Sequence, residues 1–316
     1  PPPAGASSAF NSTTTLQVNK LPADVLAGPT LGVGTRSPGD PVLVAGGDLE
    51  LSGTWPSRVA LWDGDSWLPV GTLSTKTEVL YEFDSKLVAG GERRVAGEIC
   101  LAQFDGTAWS AIGNDTAGIV TTFATYRGRL IVGGGFRAVG SLPVEFIAEW
   151  NGASWSALAG GLWWWPLGMV VYNDRLLVGG DLYYVGQWDG TAWSEIGWPN
   201  YPGGVRAFVI YNNQLIAGGS FITMSGVVAN NIALWTGDTS WSALGSGVNG
   251  IVWALAIYGD AVIAGGLFDT ASGVPASRIA RWDGASWSAL GVGIEGEIVR
   301  SLVVFNGYLF VGGDFH

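Results

Sequence analysis

A single histidine and a single cysteine bound the chemistry open to this chain. The histidine is His316, the last of 316 residues, and the cysteine is Cys100, set in the apolar stretch EICLAQF. Ser-His-Asp and Cys-His relays therefore lack a base, and multi-histidine metal sites lack their ligands. One thiol can form neither an internal disulfide nor a cysteine-cluster metal site, and its setting makes it a buried, inert side chain. No Gly-rich phosphate loop opens a helix. Carboxylates remain: two flanking a sugar can hydrolyse a glycosidic bond, and Glu78, Asp115, Glu145 and Glu149 fall in or near loops. Their spacing singles out no pair. The expectation is a protein without catalytic residues, metal or cofactor, the alternative being a carbohydrate-active enzyme that uses two carboxylates.

The other chemistry is aromatic. GGLWWWPLG sets Trp163, Trp164 and Trp165 side by side, and WPNYP brings Trp198 and Tyr201 soon after. Flat rings stack on the apolar CH faces of sugars while nearby polar groups take the hydroxyls. The same rings could instead plug a channel, cover a gap, or meet a protein partner. Choosing among these requires the elements that hold them.

Those elements repeat. Four apolar residues ending in a glycine doublet recur seven times, with the first glycine at Gly46, Gly90, Gly133, Gly179, Gly218, Gly265 and Gly312. The spacings of 44, 43, 46, 39, 47 and 47 residues fit a four-stranded β-propeller blade. Between doublets stands a hairpin motif of the WDGDSW type, beginning at Trp62, Phe104, Trp150, Trp188, Trp235 and Trp282, in which Asp-Gly or Asn-Gly marks a tight turn. Each unit thus reads as strand a, strand b ending in the doublet, then a c–d hairpin. Eleven of the 17 tryptophans belong to this motif and are expected to pack between blades; its aspartates are turn formers before they are calcium ligands.

Only six hairpins are plain. The seventh is expected at the N-terminus, where Phe10, Asn11 and Ser12 hold the motif positions. The path from Gly313 to the chain end and on from the first residue to Phe10 is 13 steps, against 8 to 16 in the other units. The sequence thus predicts one domain over residues 1–316, an all-β, seven-bladed propeller of four-stranded antiparallel blades. Residues 1–7 would be a disordered or linker start, and residues 8–19 would close the last blade, removing its free edges. The doublet followed by an aromatic and then a tryptophan resembles the kelch repeat of β-propellers over nearly the whole chain, with Trp-Asp-Gly and a second tryptophan five residues on as departures. The IARWDGASWSALG style is also similar to secreted or surface-attached repeat proteins of the cortical polarity-marker type. The resemblance implies a rigid display platform at the cell surface or outside it. Copper chemistry of the galactose-oxidase kind would need histidines the chain lacks.

Positions where the units disagree are those the scaffold does not dictate. Aligned on the doublets, Trp163, Trp164 and Trp165 fall in a d–a loop, which in a propeller shares one face with the b–c loops. The b–c connection of the same unit is the shortest, 8 steps, and holds Tyr183 and Tyr184, so a notch is expected beside the tryptophans. Trp55 sits in another b–c loop. One column of strand a also varies: Glu78, Thr121, Leu167, Arg206, Trp253 and Arg300, preceded in four units by valine (Val120, Val205, Val252, Val299). Such a mixture on an inner strand suggests a lining chosen for a ligand. The expected ligand-binding set is Trp163, Trp164, Trp165, Trp198, Tyr201, Tyr183, Tyr184, Trp253, Arg206, Arg300 and Glu78.

A net charge of −11 with 15 Lys+Arg argues against nucleic acid and anionic membrane surfaces. No apolar run approaches a membrane span, and PPPAGASS lacks the regions of a signal peptide. The sequons at Asn11 and Asn114 are weak signals. A monomer that binds a glycan, or failing that a protein, is the expectation.

Overall fold

The computed structural model describes residues 30–37, 40–49, 57–63, 67–71, 73, 76–92, 99–113, 116, 118–181, 184–200 and 203–315. They form antiparallel sheets, each from one repeat. Blade 1 is β1 (Thr30–Ser37), β2 (Asp40–Leu49), β3 (Ser57–Trp62) and β4 (Trp67–Pro69). Blade 2 is β5 (Lys76–Phe83), β6 (Lys86–Glu92), β7 (Leu101–Phe104) and β8 (Trp109–Ala111). Blade 3 is β9 (Ile119–Tyr126), β10 (Arg129–Gly135), β13 (Ile147–Trp150) and β14 (Trp155–Ala157), with the small hairpin β11 (Ala138–Val139) and β12 (Leu142–Pro143) in its b–c connection. Blade 4 is β15 (Pro166–Tyr172), β16 (Arg175–Gly180), β17 (Val185–Trp188) and β18 (Trp193–Gly197). Blade 5 is β19 (Val205–Tyr211), β20 (Gln214–Gly219), β23 (Ile232–Gly237) and β24 (Ser240–Ala243), with hairpin β21 (Thr223–Met224) and β22 (Val227–Val228). Blade 6 is β25 (Ile251–Tyr258), β26 (Ala261–Leu267), β29 (Ile279–Trp282) and β30 (Trp287–Ala289), with hairpin β27 (Thr270–Ala271) and β28 (Val274–Pro275). Last come β31 (Gly296–Phe305) and β32 (Tyr308–Phe315), a two-stranded sheet.

The chain is an all-β propeller with four-stranded antiparallel blades, but the expected number is corrected: the described residues form six such blades, not seven. The doublet marks a b strand, and there are seven of those among the described residues; it does not by itself mark a complete blade. The strands expected over residues 8–19 lie outside the described residues. The first strands of neighbouring sheets lie side by side around the axis, β31 against both β25 and β1, so strand a is innermost and the sheets form a ring.

Both glycines of the doublet have steric reasons. A Cβ on the first would meet strand a of the following blade: Val120 Cγ1 at 2.5 Å from Gly90, Pro166 Cγ at 2.7 Å from Gly133, Val252 Cγ1 at 2.6 Å from Gly218. A Cβ on the second, as at Gly134, Gly180, Gly219 and Gly266, would strike a carbonyl at the start of strand a or just before it, in the same blade. Apolar clusters fill every junction, from Val44, Val59 and Leu80 between blades 1 and 2 to Leu43, Ala45, Ala60 and Phe310 where the two-stranded sheet meets blade 1.

The motif tryptophans lie at these junctions, as their recurrence predicts. Paired rings tilt together, for example Trp150 and Trp155 with centroids 5.0 Å apart. In four blades the d-strand indole donates to a carbonyl of the preceding blade: Trp109 to Val70 at 2.7 Å, Trp193 to Leu158 at 3.1 Å, Trp241 to Ile196 at 2.7 Å and Trp287 to Leu244 at 2.9 Å. On the innermost strands the direction reverses. Tyr126, Tyr172 and Tyr211 donate to the a–b turn of the following blade, at Asp174, Asn213 and Asp260. The motif aspartates cap the c–d turn: Asp105 Oδ1 accepts from the Thr107 and Ala108 N–H groups, and Asn151 does the same for Ala153 and Ser154.

Candidate functional site

The d–a loops and b–c connections do share a face. Thr116, Pro199 and Val248, each ahead of a strand a, bridge to Val139, Met224 and Ala271 in the b–c hairpin of the same blade. Asn200 Oδ1 accepts from the Ile222 and Thr223 N–H groups, and Asn249 Oδ1 from those of Asp269 and Thr270, the same clasp in two blades. The short b–c connection of blade 4, between Gly180 and Val185, carries no hairpin among the described residues. There Asp181 bridges onward to Gly204, and its N–H donates to the Trp165 carbonyl at 3.3 Å.

That difference explains the three tryptophans, which do not act together. Trp164 is 3% exposed and belongs with Leu162 to the core between blades 3 and 4, so its assignment to the ligand surface is corrected. Elsewhere Phe136, Val139 and Val144, or Phe221, Met224 and Ala229, supply the corresponding apolar mass from the b–c hairpin. With only a short connection in blade 4, the indole fills that place. Tyr184 closes edge-on over it, centroids 4.0 Å apart, and burial pushes its phenol up to about 12. The expected notch is therefore filled, and Tyr184 is a packing residue. Tyr183, Tyr201 and Trp55 lie outside the described residues.

Trp163 and Trp165 point the other way, 84% and 48% exposed. Trp165 lines a hollow of about 410 Å³ with Gly135, Phe136, Arg137, Ala138 and Phe146. Arg137 stacks on Phe146, 5.0 Å from guanidinium carbon to ring centre, and pairs with Glu145 at 3.2 Å. Phe146 sits at φ +66°, where its counterparts are Asn231 and Arg278. The scaffold demands the left-handed region at that position, and Asn meets it more cheaply than Phe; what Phe adds is a ring at the hollow. The sequence reading missed Arg137, Phe136 and Phe146, because the hairpin that folds them against Trp165 rests on two-residue strands.

Trp198 is 41% exposed but lines a different hollow, about 540 Å³, with Ser225, Gly226, Val227, Thr239, Ser240 and Trp241 of blade 5. Its indole donates to Glu195 at 2.8 Å.

The variable column of strand a has one structural identity. Glu78, Thr121, Leu167, Arg206, Trp253 and Arg300 are each the residue skipped where strand a bulges against strand b. A bulge re-aims its extra residue and frees it from the ladder. Glu78 pairs with Lys76 at 2.6 Å, and the Thr121 hydroxyl donates to the Pro166 carbonyl at 2.5 Å. On three neighbouring inner strands, Arg206 and Arg300 lie 4.3 and 5.4 Å from the Trp253 ring centre. Arg206 pairs with Asp181 at 3.2 Å, and Arg300 sends Nε and Nη2 to Asp314 Oδ2 at 2.9 and 2.6 Å. Burial lowers the Arg206 guanidinium from its ordinary value, opposed by Asp181.

Of the acids considered for catalysis, Glu145 is paired with Arg137 and Glu149 with Arg129, while Asp115 lies outside the described residues. Among the described residues no group of three or more His, Cys, Asp or Glu is placed to hold a metal, and no helix is long and apolar enough to cross a membrane.

No protein-family model matches the sequence, and no curated protein matches it. Solved structures do. The extracellular domain of the hybrid two component system BT3049 from B. thetaiotaomicron is similar at a TM-score of 0.65 and 9% identity, over 92% of this chain and 39% of that one. This chain thus spans about two-fifths of that protein's chain. The WD40 β-propeller domain of Doa1 is similar at 0.59 and 15% identity, over 92% of each chain. YjhT is similar at 0.52 and 12% identity, over 93% of this chain and 99% of that one. At these identities the likeness shows the fold alone, a β-propeller.

Proposed function

We propose that this chain is a non-enzymatic, kelch-like binding propeller, extracellular or at a cell surface, that recognises a glycan as a monomer. The observation carrying this is the exposed indole of Trp165, which lines a hollow with Phe146 and with Arg137, itself paired to Glu145, while Trp163 two residues earlier is also exposed. Solvent exposure of an indole forfeits burial of roughly 150–250 Å². A sugar ring laid on Trp165 recovers part of it, while Arg137 and Glu145 offer donor and acceptor to its hydroxyls. A glycan array tests the reading. Wild-type protein is expected to bind a subset of glycans, with Trp163→Ala and Trp165→Ala each losing about tenfold or more in affinity at unchanged melting temperature. Binding to no glycan would sink it.

A second reading, a protein-interaction surface, rests on blade 5, where Trp198 and Val227 line one hollow and Ile222 and Val228 of the same b–c connection are exposed as well. Exposed apolar clusters of this kind mark protein contacts. Ile222→Lys with Val228→Lys would abolish partner capture under that reading and leave glycan binding intact.

A further inference from the structure

We propose that the central channel holds a site for a carboxylate, so that the glycan is an acidic one, a saccharide carrying uronic acid; this rests on the glycan reading above. The three bulge residues on β19, β25 and β31 are all donor-only side chains: Arg206, Trp253 and Arg300 offer N–H groups and no acceptor. Two of their donors, Arg206 Nε and Trp253 Nε1, are buried and find no acceptor among the described residues. Arg206 gives one nitrogen to Asp181, and Arg300 gives two to a single oxygen of Asp314, so each guanidinium keeps N–H groups its own acid does not use. Only an acceptor complements such a cluster. A planar carboxylate matches the guanidinium fork better than a hydroxyl does, and the mostly buried setting of Arg206 strengthens a charged acceptor over a neutral one.

The cluster adjoins the aromatic hollow through one residue. The Asp181 N–H donates to the Trp165 carbonyl while its carboxylate meets Arg206. A ligand stacked on Trp165 therefore lies near the channel mouth where the arginines stand. Each of the two arginines beside the Trp253 indole is already balanced by one acid, so what the cluster has in surplus is N–H donors rather than net charge.

The test prints each uronate-bearing saccharide twice, as free acid and as methyl ester, which removes the charge and leaves the ring faces unchanged. Wild-type protein is expected to bind the acid about tenfold tighter than the ester. Arg206→Met with Arg300→Gln is expected to bring the ratio of acid to ester binding to about one, and Arg206→Lys to retain part of the preference. Should the double variant fail to fold, Arg300→Gln alone is expected to narrow the ratio of acid to ester binding. Equal binding of acid and ester by wild type overturns this inference and leaves the glycan reading standing. So does a preference that survives a folded double variant, or a folded Arg300→Gln where the double is lost. Binding of neither form sinks both.

Discussion

Trp163, Trp164 and Trp165 are identical in type and adjacent in sequence, yet one is core and two are surface. Their consequences on substitution should differ accordingly. Trp164→Ala opens a cavity between blades 3 and 4 and is expected to destabilise the fold by about 3–5 kcal/mol in urea denaturation. Trp163→Ala is expected to change it by less than about 0.5 kcal/mol. The Trp164 indole N–H is buried with no acceptor among the described residues, so Trp164→Phe discards no hydrogen bond shown there and should cost clearly less than Trp164→Ala. Equal losses for the Phe and Ala variants would contradict this packing role. The sequence located the three rings but could not sort them. Which one turns inward depends on the hairpin that blade 4 lacks, a relation between a d–a loop and a b–c connection some twenty residues further along.

The c–d turn is the element whose chemistry was most legible, because its parts are local. Asp105 is held down to about 2, first by the Ala108 N–H and then by the Thr107 hydroxyl and N–H. The Thr191 hydroxyl leads the same lowering at Asp189, and the Ser286 N–H leads it at Asp283. A carboxyl depressed in the folded state binds fewer protons there than in the unfolded chain, where it titrates near about 3.9. The stability it contributes is present above that pH and lost as pH falls towards about 2 for Asp105. Asparagine caps the equivalent turn at Asn151 without a charge. Asp105→Asn is therefore expected to fold normally and to flatten the stability profile between about pH 4 and 2, read from urea midpoints; an unchanged slope would refute the assignment. The bulge on strand a was legible only as a column of disagreement. Its cause, a residue skipped by the ladder, needs the register of both strands.

At the scale of the whole ring, the glycine doublets were readable because each glycine has its own steric reason, recurring from blade to blade. The blade number was not, since a b strand announces itself without saying whether a c–d hairpin completes its sheet. The junction between the two-stranded sheet and blade 1 is the leanest among the described residues, with Phe310 its one large buried ring among Leu43, Ala45 and Ala60. Phe310→Ala is expected to lower stability by about 3–5 kcal/mol and to speed amide exchange in β31 and β32 ahead of β16 and β20. Uniform exchange across all four strands would show that the ring does not open there first. The indole bonds on the outer strands run backwards around the circle, and the tyrosine bonds on the inner strands run forwards. A ring parted between blades 3 and 4 would show two unlike lips, one with the Trp193 indole outside and the Asp174 carbonyl inside, the other with the Leu158 carbonyl outside and the Tyr126 phenol inside. Each lip mates with its opposite and not with a copy of itself, so any joining of two opened molecules must proceed head to tail.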